Sequence, residues 1–308
     1  MFVGDRDPGL PLTRAGHDRA AEHRLDEAWL AAAWEAAGSR VLVIQQGKVH
    51  WTDGAADGSD PALVLHAPAD VPDGERYFLG VDPDGVAYFA VAAEALPEGV
   101  DAQVGHLYTL GSVLGERDAG LLVHAFGLEN WHRTHKFCAR CGQPTEAVAA
   151  GHVRKCDACG AEHFPRTDPA VIMLVVDPLD RALLGRQPSW PEKRFSTLAG
   201  FVEPGESLRQ AVAREVAEEV GARVADVTYI DSQPWPFPSS LMLGFHATAV
   251  DDRIDVDGNE IAEARWFTRE ELRAAVDAGE ILLPGTISIS RHLIELWYGE
   301  KIPESNKW

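Results

Sequence analysis

The chain has little positive charge and little cysteine, and it lacks any long apolar run. Lysine and arginine number 28 against 48 aspartates and glutamates among 308 residues, which gives a formal net charge of −20. Such a surface repels polyphosphate backbones and disfavours non-specific binding to nucleic acid. A phosphate-bearing substrate therefore has to be received by bound cations or by local basic residues.

The absence of long apolar runs indicates in which cellular compartment the protein is expected. No run approaches the roughly 20 residues that cross a bilayer. Residues Met1 to Pro11 carry charges and lack the apolar stretch of a secretory signal. An apolar fraction of 45% is typical of a globular protein. We therefore expect a cytoplasmic protein with no membrane partner.

The four cysteines are confined to one short segment, as Cys138, Cys141, Cys156 and Cys159. Each C-x2-C pair is followed by a glycine, which permits the tight turn that aims backbone N–H groups at the sulfurs. Two close pairs of thiolates suit a tetrahedral structural Zn²⁺ with no open coordination position. The alternatives are a redox or disulfide role and simple buried cysteines. A zinc ribbon that binds nucleic acid is a further alternative, which the acidic chain disfavours.

Apolar periodicity divides the chain into three expected regions. We predict an N-terminal α/β domain over 1–132, a zinc ribbon over 133–165 and a larger α+β domain over 166–308. The clearest expected elements are helices over 19–37, 116–131, 208–220 and 286–297, a hairpin from Tyr77–Val81 to Val86–Val91, and a buried strand at Val171–Val176.

The sharpest chemical signal is a set of glutamates on the helix predicted over 208–220. Ser207 and Gln210 form a capping box, and Gly221 is a natural helix stop. Glu218 and Glu219 stand three and four residues after Glu215, so their carboxylates converge with that of Glu215. Like charges at that spacing destabilise a helix unless a cation lies among them, and Mg²⁺ or Mn²⁺ prefers such oxygen ligands. The alternative is a solvated acidic helix face.

Residues Gly200 to Ala222 match the Nudix box, G-x5-E-x7-R-E-U-x-E-E-x-G-U, at every fixed position except the last. The one departure is Ala222, where the box has a bulky apolar residue. The resemblance implies an α/β/α sandwich that hydrolyses a nucleoside diphosphate linked to another moiety with the help of metal ions. Glu215 and Glu219 match the principal metal ligands of the family, and Glu218 matches an auxiliary one.

A proline-rich segment follows, Ser232-Gln233-Pro234-Trp235-Pro236-Phe237-Pro238-Ser239-Ser240. Proline fixes φ and removes N–H donors, so we expect a stiff extended loop outside any sheet interior. Such a loop presents Trp235 and Phe237 as flat surfaces for stacking on a nucleobase. The alternatives are a hydrophobic-core loop and a polyproline ligand for another protein.

With the box upstream, this segment resembles the S-Q-P-W-P-F-P-x-S signature of the NADH pyrophosphatase branch of the Nudix family. The cysteine knuckles, Phe164-Pro165 and Pro284-Gly285-Thr286 are similar to that branch as well, and the resemblance covers roughly residues 130 to 300. It implies that Glu215, Glu219, Glu260 and the Ala199 carbonyl hold the catalytic metals. It also implies a homodimer and a set of substrate contacts: Phe164, Phe201, Gln233, Pro234, Trp235, Pro236, Phe237, Pro238, Ser239, Ser240 and Ser288.

The implied reaction is metal-dependent hydrolysis of NADH or NAD to NMNH or NMN and AMP, extended to removal of 5′ NAD caps from RNA. Two other functions stay open. One is a broader hydrolase of ADP-ribose or diadenosine polyphosphates, and the other is a sensor that binds NAD or ADP-ribose without cutting it.

Overall fold

The computed structural model describes residues 10–13, 16–54, 58–256 and 258–303. The chain forms two compact units. Leu12–Thr167 and Pro236–Ser239 make up the N-terminal unit, and Asp168–Trp235 and Ser240–Trp308 make up the C-terminal unit with the segment that ends at Pro11. Within the described ranges, no helix has the length and hydrophobicity that a membrane span requires.

The N-terminal unit mixes helices with small sheets. Its strands are β1 (Arg40–Ile44), β2 (Lys48–Thr52), β3 (Ala62–Leu63), β4 (Glu75–Val81), β5 (Ala87–Ala92) and β6 (Gln103–His106), and its helices are α1 (Glu27–Glu35), α2 (Leu107–Leu110) and α3 (Glu116–Thr134). Among the described residues these strands form two sheets, ordered β1-β5-β4 and β3-β2-β6, with β1 parallel to β5. The predicted hairpin over 77–91 and the helix that begins at Glu116 are confirmed.

The single helix predicted over 19–37 is wrong. The structure instead has a short 3-10 turn at Ala21–His23 and a separate helix α1. Asp26 starts α1 because its carboxylate accepts the Trp29 N–H at 2.9 Å, which satisfies a donor that an uninterrupted helix would bond internally. Below α1, Trp29 and Trp34 pack edge-on against aromatic rings of β4 and β5.

A small antiparallel sheet follows α3 and carries the cysteines at its loops. Its strands are β7 (Glu146–Val148), β8 (Val153–Lys155) and β9 (Glu162–His163). The buried guanidinium of Arg154 donates to the Thr145 hydroxyl at 2.8 Å and to Nδ1 of His132 at 2.7 Å. Since Nδ1 accepts, Nε2 of His132 carries the proton donated to the Gly151 carbonyl at 2.8 Å. These bonds join the cysteine-bearing sheet to α3.

The C-terminal unit is an α/β/α sandwich. Its strands are β10 (Asp168–Val176), β11 (Ala182–Arg186), β12 (Leu198–Phe201), β13 (Val224–Trp235), β14 (Ser240–Ala249) and β15 (Glu263–Phe267), and its helices are α4 (Leu208–Val220), α5 (Arg269–Asp277) and α6 (Ile289–Tyr298). Among the described residues the sheet runs β13-β14-β10-β11-β15, and β12 also pairs with β10. The predicted α+β class is confirmed.

Strand β10 is apolar along its length because both of its faces are buried. Val171, Met173 and Val175 pack on the α4 side, whereas Ile172 and Leu174 pack on the side of α5 and α6. A strand covered on both faces reads as a continuous apolar run, as the sequence of β10 does. The resulting layers place α4 directly over the central strands.

The proline-rich segment departs from its predicted loop at its start. Ser232 to Trp235 continue β13 and pair with β14, with Pro234 opposite Leu241 and Trp235 opposite Ser240. Strand β13 lies at the edge of the sheet, where a proline removes an N–H that no second neighbour needs. The segment is therefore outside the sheet interior, as expected, but half of it is strand.

Candidate active site and zinc centre

Helix α4 is fixed at both ends by local sequence. The Ser207 side chain accepts from the Gln210 N–H, and the Gln210 side chain accepts from the Ser207 N–H at 3.0 Å, which completes the predicted capping box. Gly221 ends the helix at φ 67°, a conformation that favours glycine. The apolar residues Val212 and Val216 are fully buried against the sheet. The position of every glutamate on α4 follows from this anchoring.

Three carboxylates meet beside α4. The ligand atoms of Glu215, Glu219 and Glu260 all lie within 4.8 Å of one another, and we call this set the glutamate cluster. Glu215 and Glu219 are only 6% and 3% exposed, whereas Glu260 is exposed. Burial raises the pKa of Glu215, the nearby Arg214 lowers it, and the charges of Glu218 and Glu260 raise it further.

Arg214 holds the loop and the helix together. Its guanidinium donates to Glu206 at 2.9 Å, to Glu215 at 2.8 Å and to Glu218 at 3.0 Å. It also donates to the Phe201 carbonyl at 2.9 Å. Arg214 and Glu218 are four residues apart, so this ion pair spans one turn of α4. The glutamate carboxylates are oriented before any ligand arrives.

Gly200 makes room for one of these carboxylates. A Cβ built at Gly200 would lie 1.9 Å from the carboxyl carbon of Glu215, well inside van der Waals contact. Glycine is therefore required here by close approach and not by an unusual backbone angle. The first glycine of the motif and its first α4 glutamate form one packed unit.

This donor set fits a hard divalent cation. Two nearly buried carboxylates and a third within 4.8 Å repel one another, and burial from water strengthens that repulsion. Mg²⁺ and Mn²⁺ take oxygen ligands of this kind. Glu215, Glu219 and Glu260 are the residues that would hold the ion.

Two members of the glutamate cluster, Glu215 and Glu260, line a cavity of about 510 Å³. The predicted residues Ala199, Phe201, Glu215, Glu218, Ser240 and Glu260 line it. Phe201 is 59% exposed, so its ring is available to a ligand. The cavity also has walls that sequence reasoning missed, namely Ala170, Glu203 and Met242. Ala170 and Met242 are register partners on β10 and β14, and that pairing has no local sequence signal.

The remaining residues of the proline-rich segment differ in their exposure and in the unit to which they belong. Trp235 is half-buried on the edge strand β13. Pro236 is buried, Pro238 is exposed with its carbonyl accepting from Asn130, and Ser239 is partly exposed. Phe237 packs within the N-terminal unit, with ring centroids 5.4 Å from Phe126 and 5.9 Å from both His106 and Tyr108.

The side chain of Gln233 is buried and makes hydrogen bonds to the protein backbone. It is 0% exposed. Its Nε2 donates to the carbonyls of Pro11 at 2.6 Å and Ile287 at 2.8 Å, and its Oε1 accepts from the Ile289 N–H at 2.9 Å. Ser288 is the N-cap of α6 and accepts from the Ser290 N–H at 3.2 Å. Both side chains thus fix the start of α6. Phe164 lies in the N-terminal unit and is mostly exposed.

The four cysteine sulfurs converge as a metal centre requires. Their ligand atoms lie within 4.8 Å of one another, with Cys138 and Cys159 sulfurs 3.6 Å apart and Cys141 and Cys156 sulfurs 3.5 Å apart. A disulfide needs about 2.05 Å, whereas tetrahedral bonds of about 2.3 Å to zinc place sulfurs nearly 4 Å apart. The residues fit a structural Zn²⁺, and the disulfide alternative is excluded.

Comparison with known families agrees with this geometry. The model of the NUDIX domain matches residues 166–283, and the model of the NADH pyrophosphatase zinc ribbon domain matches residues 133–164. These matches cover the cavity and the cysteine centre respectively.

Known proteins resemble the chain over most of its length. It is 44% identical to the NAD-capped RNA hydrolase NudC of Mycobacterium bovis (strain BCG / Pasteur 1173P2), over 93% of this chain and 94% of that protein. The protein of the same name from Mycobacterium tuberculosis (strain ATCC 25618 / H37Rv) gives the same values. The human NAD-capped RNA hydrolase NUDT12 is 43% identical over 60% of this chain and 42% of its own length.

Proposed function

The chain belongs to the Nudix hydrolase family, in the branch of the NAD-capped RNA hydrolases, and from that membership we propose that it hydrolyses the diphosphate of NAD and NADH and removes NAD caps from RNA. The observation that carries this proposal is a glutamate cluster two of whose members, Glu215 and Glu260, line a cavity that an exposed aromatic ring also lines. A dinucleotide needs both features, because its diphosphate requires cations and its bases require flat surfaces.

The glutamate cluster and the Ala199 carbonyl would hold Mg²⁺ or Mn²⁺, in two or three ions. When bound, these ions neutralise the charge of the diphosphate and lower the pKa of a water molecule. Arg214 keeps Glu215 and Glu218 in fixed positions, so the protein does not reorganise during the reaction. Gly200 and Ala199 bring the backbone close to the phosphates.

The chemistry adds one water across one P–O bond. The water oxygen bonds to a phosphorus of the diphosphate, and the bridging oxygen leaves with the other phosphate. A carboxylate of α4 orients the water and accepts its proton, and Glu218 suits this step because it is the exposed one of the three α4 glutamates. NADH gives NMNH and AMP, and an NAD cap gives NMN and RNA with a 5′ phosphate.

Phe201 and Ser240 line the cavity and are our first choices for direct contact with the nucleotide. Phe164, Trp235 and Ser288 are proposed contacts that rest on the family resemblance. For Gln233 and Phe237, we propose that the side chains position the neighbouring segment and that the ligand contacts come from residues beside them.

Three finer features belong to the same proposal. We propose a homodimer, because the family resemblance implies one. We place the protein in the cytoplasm, since a reducing compartment keeps free thiols available as zinc ligands. Zinc has a structural role, because all four of its positions are filled by cysteine.

A single product assay tests the proposal. Purified protein with Mn²⁺ or Mg²⁺ is incubated with NADH, NAD, ADP-ribose, a diadenosine polyphosphate and NAD-capped RNA, and kcat/KM values are compared. The Glu215→Gln variant, prepared in parallel, controls for contaminating phosphatases. We expect NMN or NMNH and AMP, with the highest values on the NAD-type substrates. Preference for ADP-ribose or diadenosine polyphosphate would replace the proposal with the broader hydrolase. Binding of NAD without any product would replace it with a sensor.

A further inference from the structure

The cysteine centre has a histidine beside it that is not one of its ligands. Nε2 of His163 lies 3.2 Å from the Cys138 sulfur. The ligand atoms that all lie within 4.8 Å of one another are the four cysteine sulfurs, and His163 is not in that set. Its ring therefore contacts one sulfur of the centre from outside the tetrahedron, in the position of a hydrogen-bond donor to a metal ligand.

The direction of this hydrogen bond follows from zinc binding. A zinc-bound thiolate has no proton and can only accept, so Nε2 of His163 has to carry the hydrogen that it shares with Cys138. Cys138 also accepts the Arg140 N–H at 3.4 Å. Apart from the cysteines themselves, His163 is the one described residue whose side chain bonds to a sulfur of the centre. Cys138 thus has a side-chain donor in addition to a backbone donor.

His163 and Cys138 belong to different halves of the centre. His163 stands on β9, four residues after Cys159, and pairs in register with Arg154 of β8. Cys138 belongs to the first C-x2-C pair, whose turn is closed where the Gly142 N–H donates to the Cys138 carbonyl at 2.9 Å. The bond from His163 therefore joins the strand that follows the second pair to a sulfur of the first pair.

The charge of the centre gives this bond its consequence. Four thiolates around one Zn²⁺ leave two negative charges. Cys138 is only 3% exposed, so water does little to stabilise its share of that charge. A hydrogen bond to a metal ligand orients the ligand and stabilises its charged form.

We propose that His163 is a positioning residue of the zinc centre, whose Nε2–H holds the Cys138 thiolate in place and sets how tightly the protein retains zinc. This role goes beyond the proposed function, because it concerns the retention of a structural ion and does not depend on any reaction at the glutamate cluster.

Zinc retention by the full-length, zinc-loaded protein tests the proposal. His163→Phe removes the donor and keeps a flat ring, whereas His163→Gln keeps an N–H donor close to the position of Nε2. We expect the zinc Kd of His163→Phe, measured by competition with chelators of known affinity, to rise about 10- to 100-fold, the range for loss of an outer partner of a ligand. His163→Gln should recover part of that loss. His135→Phe, which changes a partly exposed histidine bonded to Thr134, is the matched control.

The spectrum of the cobalt-substituted protein responds to the hydrogen bond and not to packing. Cobalt(II) accepts the same tetrahedral thiolate ligands and gives charge-transfer bands from sulfur to metal. A hydrogen bond lowers the energy of the sulfur lone pairs, so its loss in His163→Phe should move these bands to longer wavelength. His135→Phe should retain the wild-type spectrum.

The wild type allows a measurement that needs no variant. Nitrogen NMR of the imidazole side chains in the zinc-loaded protein reports which ring nitrogen of His163 is protonated. We expect the proton on Nε2. A ring without a proton on Nε2 cannot donate to Cys138 and would overturn the proposal.

Two results with the variants would also overturn it. Equal zinc Kd values and equal cobalt spectra for the wild type and His163→Phe would mean that the contact with Cys138 has no effect on the metal. A lower Tm of His163→Phe at unchanged zinc affinity would mean that the ring only packs against the sheet.

Discussion

Glu219 is the least exposed member of the glutamate cluster, so its charge has the greatest need of a cation. Glu219→Gln keeps the size of the side chain and removes a charged ligand. We expect kcat to fall at least ~10²-fold, because a metal or acid–base function is lost. Circular dichroism and Tm should show an intact fold. Glu270→Gln on α5, which changes an exposed glutamate, should have nearly wild-type activity, and a Glu219→Gln enzyme within a few-fold of wild type would contradict the assignment.

Gly200 offers a second test of the same site without touching a carboxylate. In Gly200→Ala, the new methyl group must displace the Glu215 carboxylate, which lies 1.9 Å from the ideal Cβ position. We expect Mn²⁺ affinity and kcat each to fall at least ~10-fold, since a ligand displaced by about an ångström no longer supports productive geometry. Titration calorimetry measures the affinity. Gly127→Ala is the control, because open space surrounds that glycine on α3 and alanine is a better helix former.

Trp235 and Phe237 stand two residues apart and should behave oppositely. Trp235→Ala should lower kcat/KM on NADH by ten- to a hundred-fold, from a stacking loss of about 1–3 kcal/mol, with little change in Tm. Phe237→Ala should lower the free energy of unfolding on the order of 2 kcal/mol, less than the ~3–5 kcal/mol for a fully buried phenylalanine. The reason is its contact with three aromatic rings of the N-terminal unit. Melting curves and kinetics on both variants distinguish a ligand contact from a packing role. A stability loss in Trp235→Ala without a kinetic loss would mean that Trp235 is a packing residue.

At the scale of elements, the cysteine-bearing sheet is the part least able to fold by burial alone. Its strands have two or three residues each, and its core contains few apolar side chains. Cys156→Ser should therefore reduce bound zinc and lower Tm, because structural zinc contributes folding free energy directly. Metal analysis and calorimetry measure the two effects. A variant that retained one zinc per chain and the wild-type Tm would refute the structural role of the ion.

Elements that depend on neighbours in sequence could be predicted from the sequence, and elements that depend on distant pairing could not. Helix α4 was predicted from its capping box to Gly221 because each of those signals acts within one turn. The conversion of Ser232 to Trp235 into an edge strand depends on the register with β14, which no local pattern encodes.

The candidate site likewise contains some residues that local sequence predicts and others that it does not predict. The α4 glutamates were found by their spacing, whereas the cavity walls Ala170 and Met242 become neighbours only through strand pairing. The buried role of Gln233 could not be predicted either, since its partners are Pro11, Ile287 and Ile289. The motif indicates that a glutamine is needed at this position, but it does not indicate whether the side chain contacts a ligand or packs in the core.

At the scale of the whole molecule, buried histidines give the N-terminal unit a dependence on pH. Burial lowers the pKa of His152 to about 4; the Phe78 carbonyl opposes this shift, and the charges of Arg24, Arg19 and His132 add to it. Burial also lowers the pKa of His124, helped by Arg19, His152, His17 and Arg24. Unfolded histidines bind protons near pH 6.5, so the unfolded chain takes up more protons between about pH 6.5 and 4, and stability falls as the pH falls through that window.

His152→Gln measures this contribution. It removes the titrating group and keeps a donor for the Phe78 carbonyl, which now accepts from Nε2 of His152 at 2.8 Å. We expect the loss of unfolding free energy between pH 7 and 4.5 to be smaller in the variant, by up to about 3 kcal/mol. Urea unfolding at several pH values provides the data. Parallel pH profiles for the two proteins would rule out His152 as the source.

The hydrogen bonds of Gln233 join parts of the chain that the ribosome synthesises at different times, so they can form only late in synthesis. A ribosome releases the chain from its amino end, so the Pro11 carbonyl emerges long before Gln233, whose amide donates to it, and long before Ile287, whose carbonyl accepts from the same amide. Most of the N-terminal unit can fold during synthesis, whereas the amide of Gln233 finds its last acceptor and donor only when the start of α6 has left the exit tunnel. Closing so long a stretch of chain is slow because its entropy must be lost before the bonds form. Until translation reaches that point, the Gln233 amide that binds the Pro11 carbonyl is not yet held in place by the start of α6.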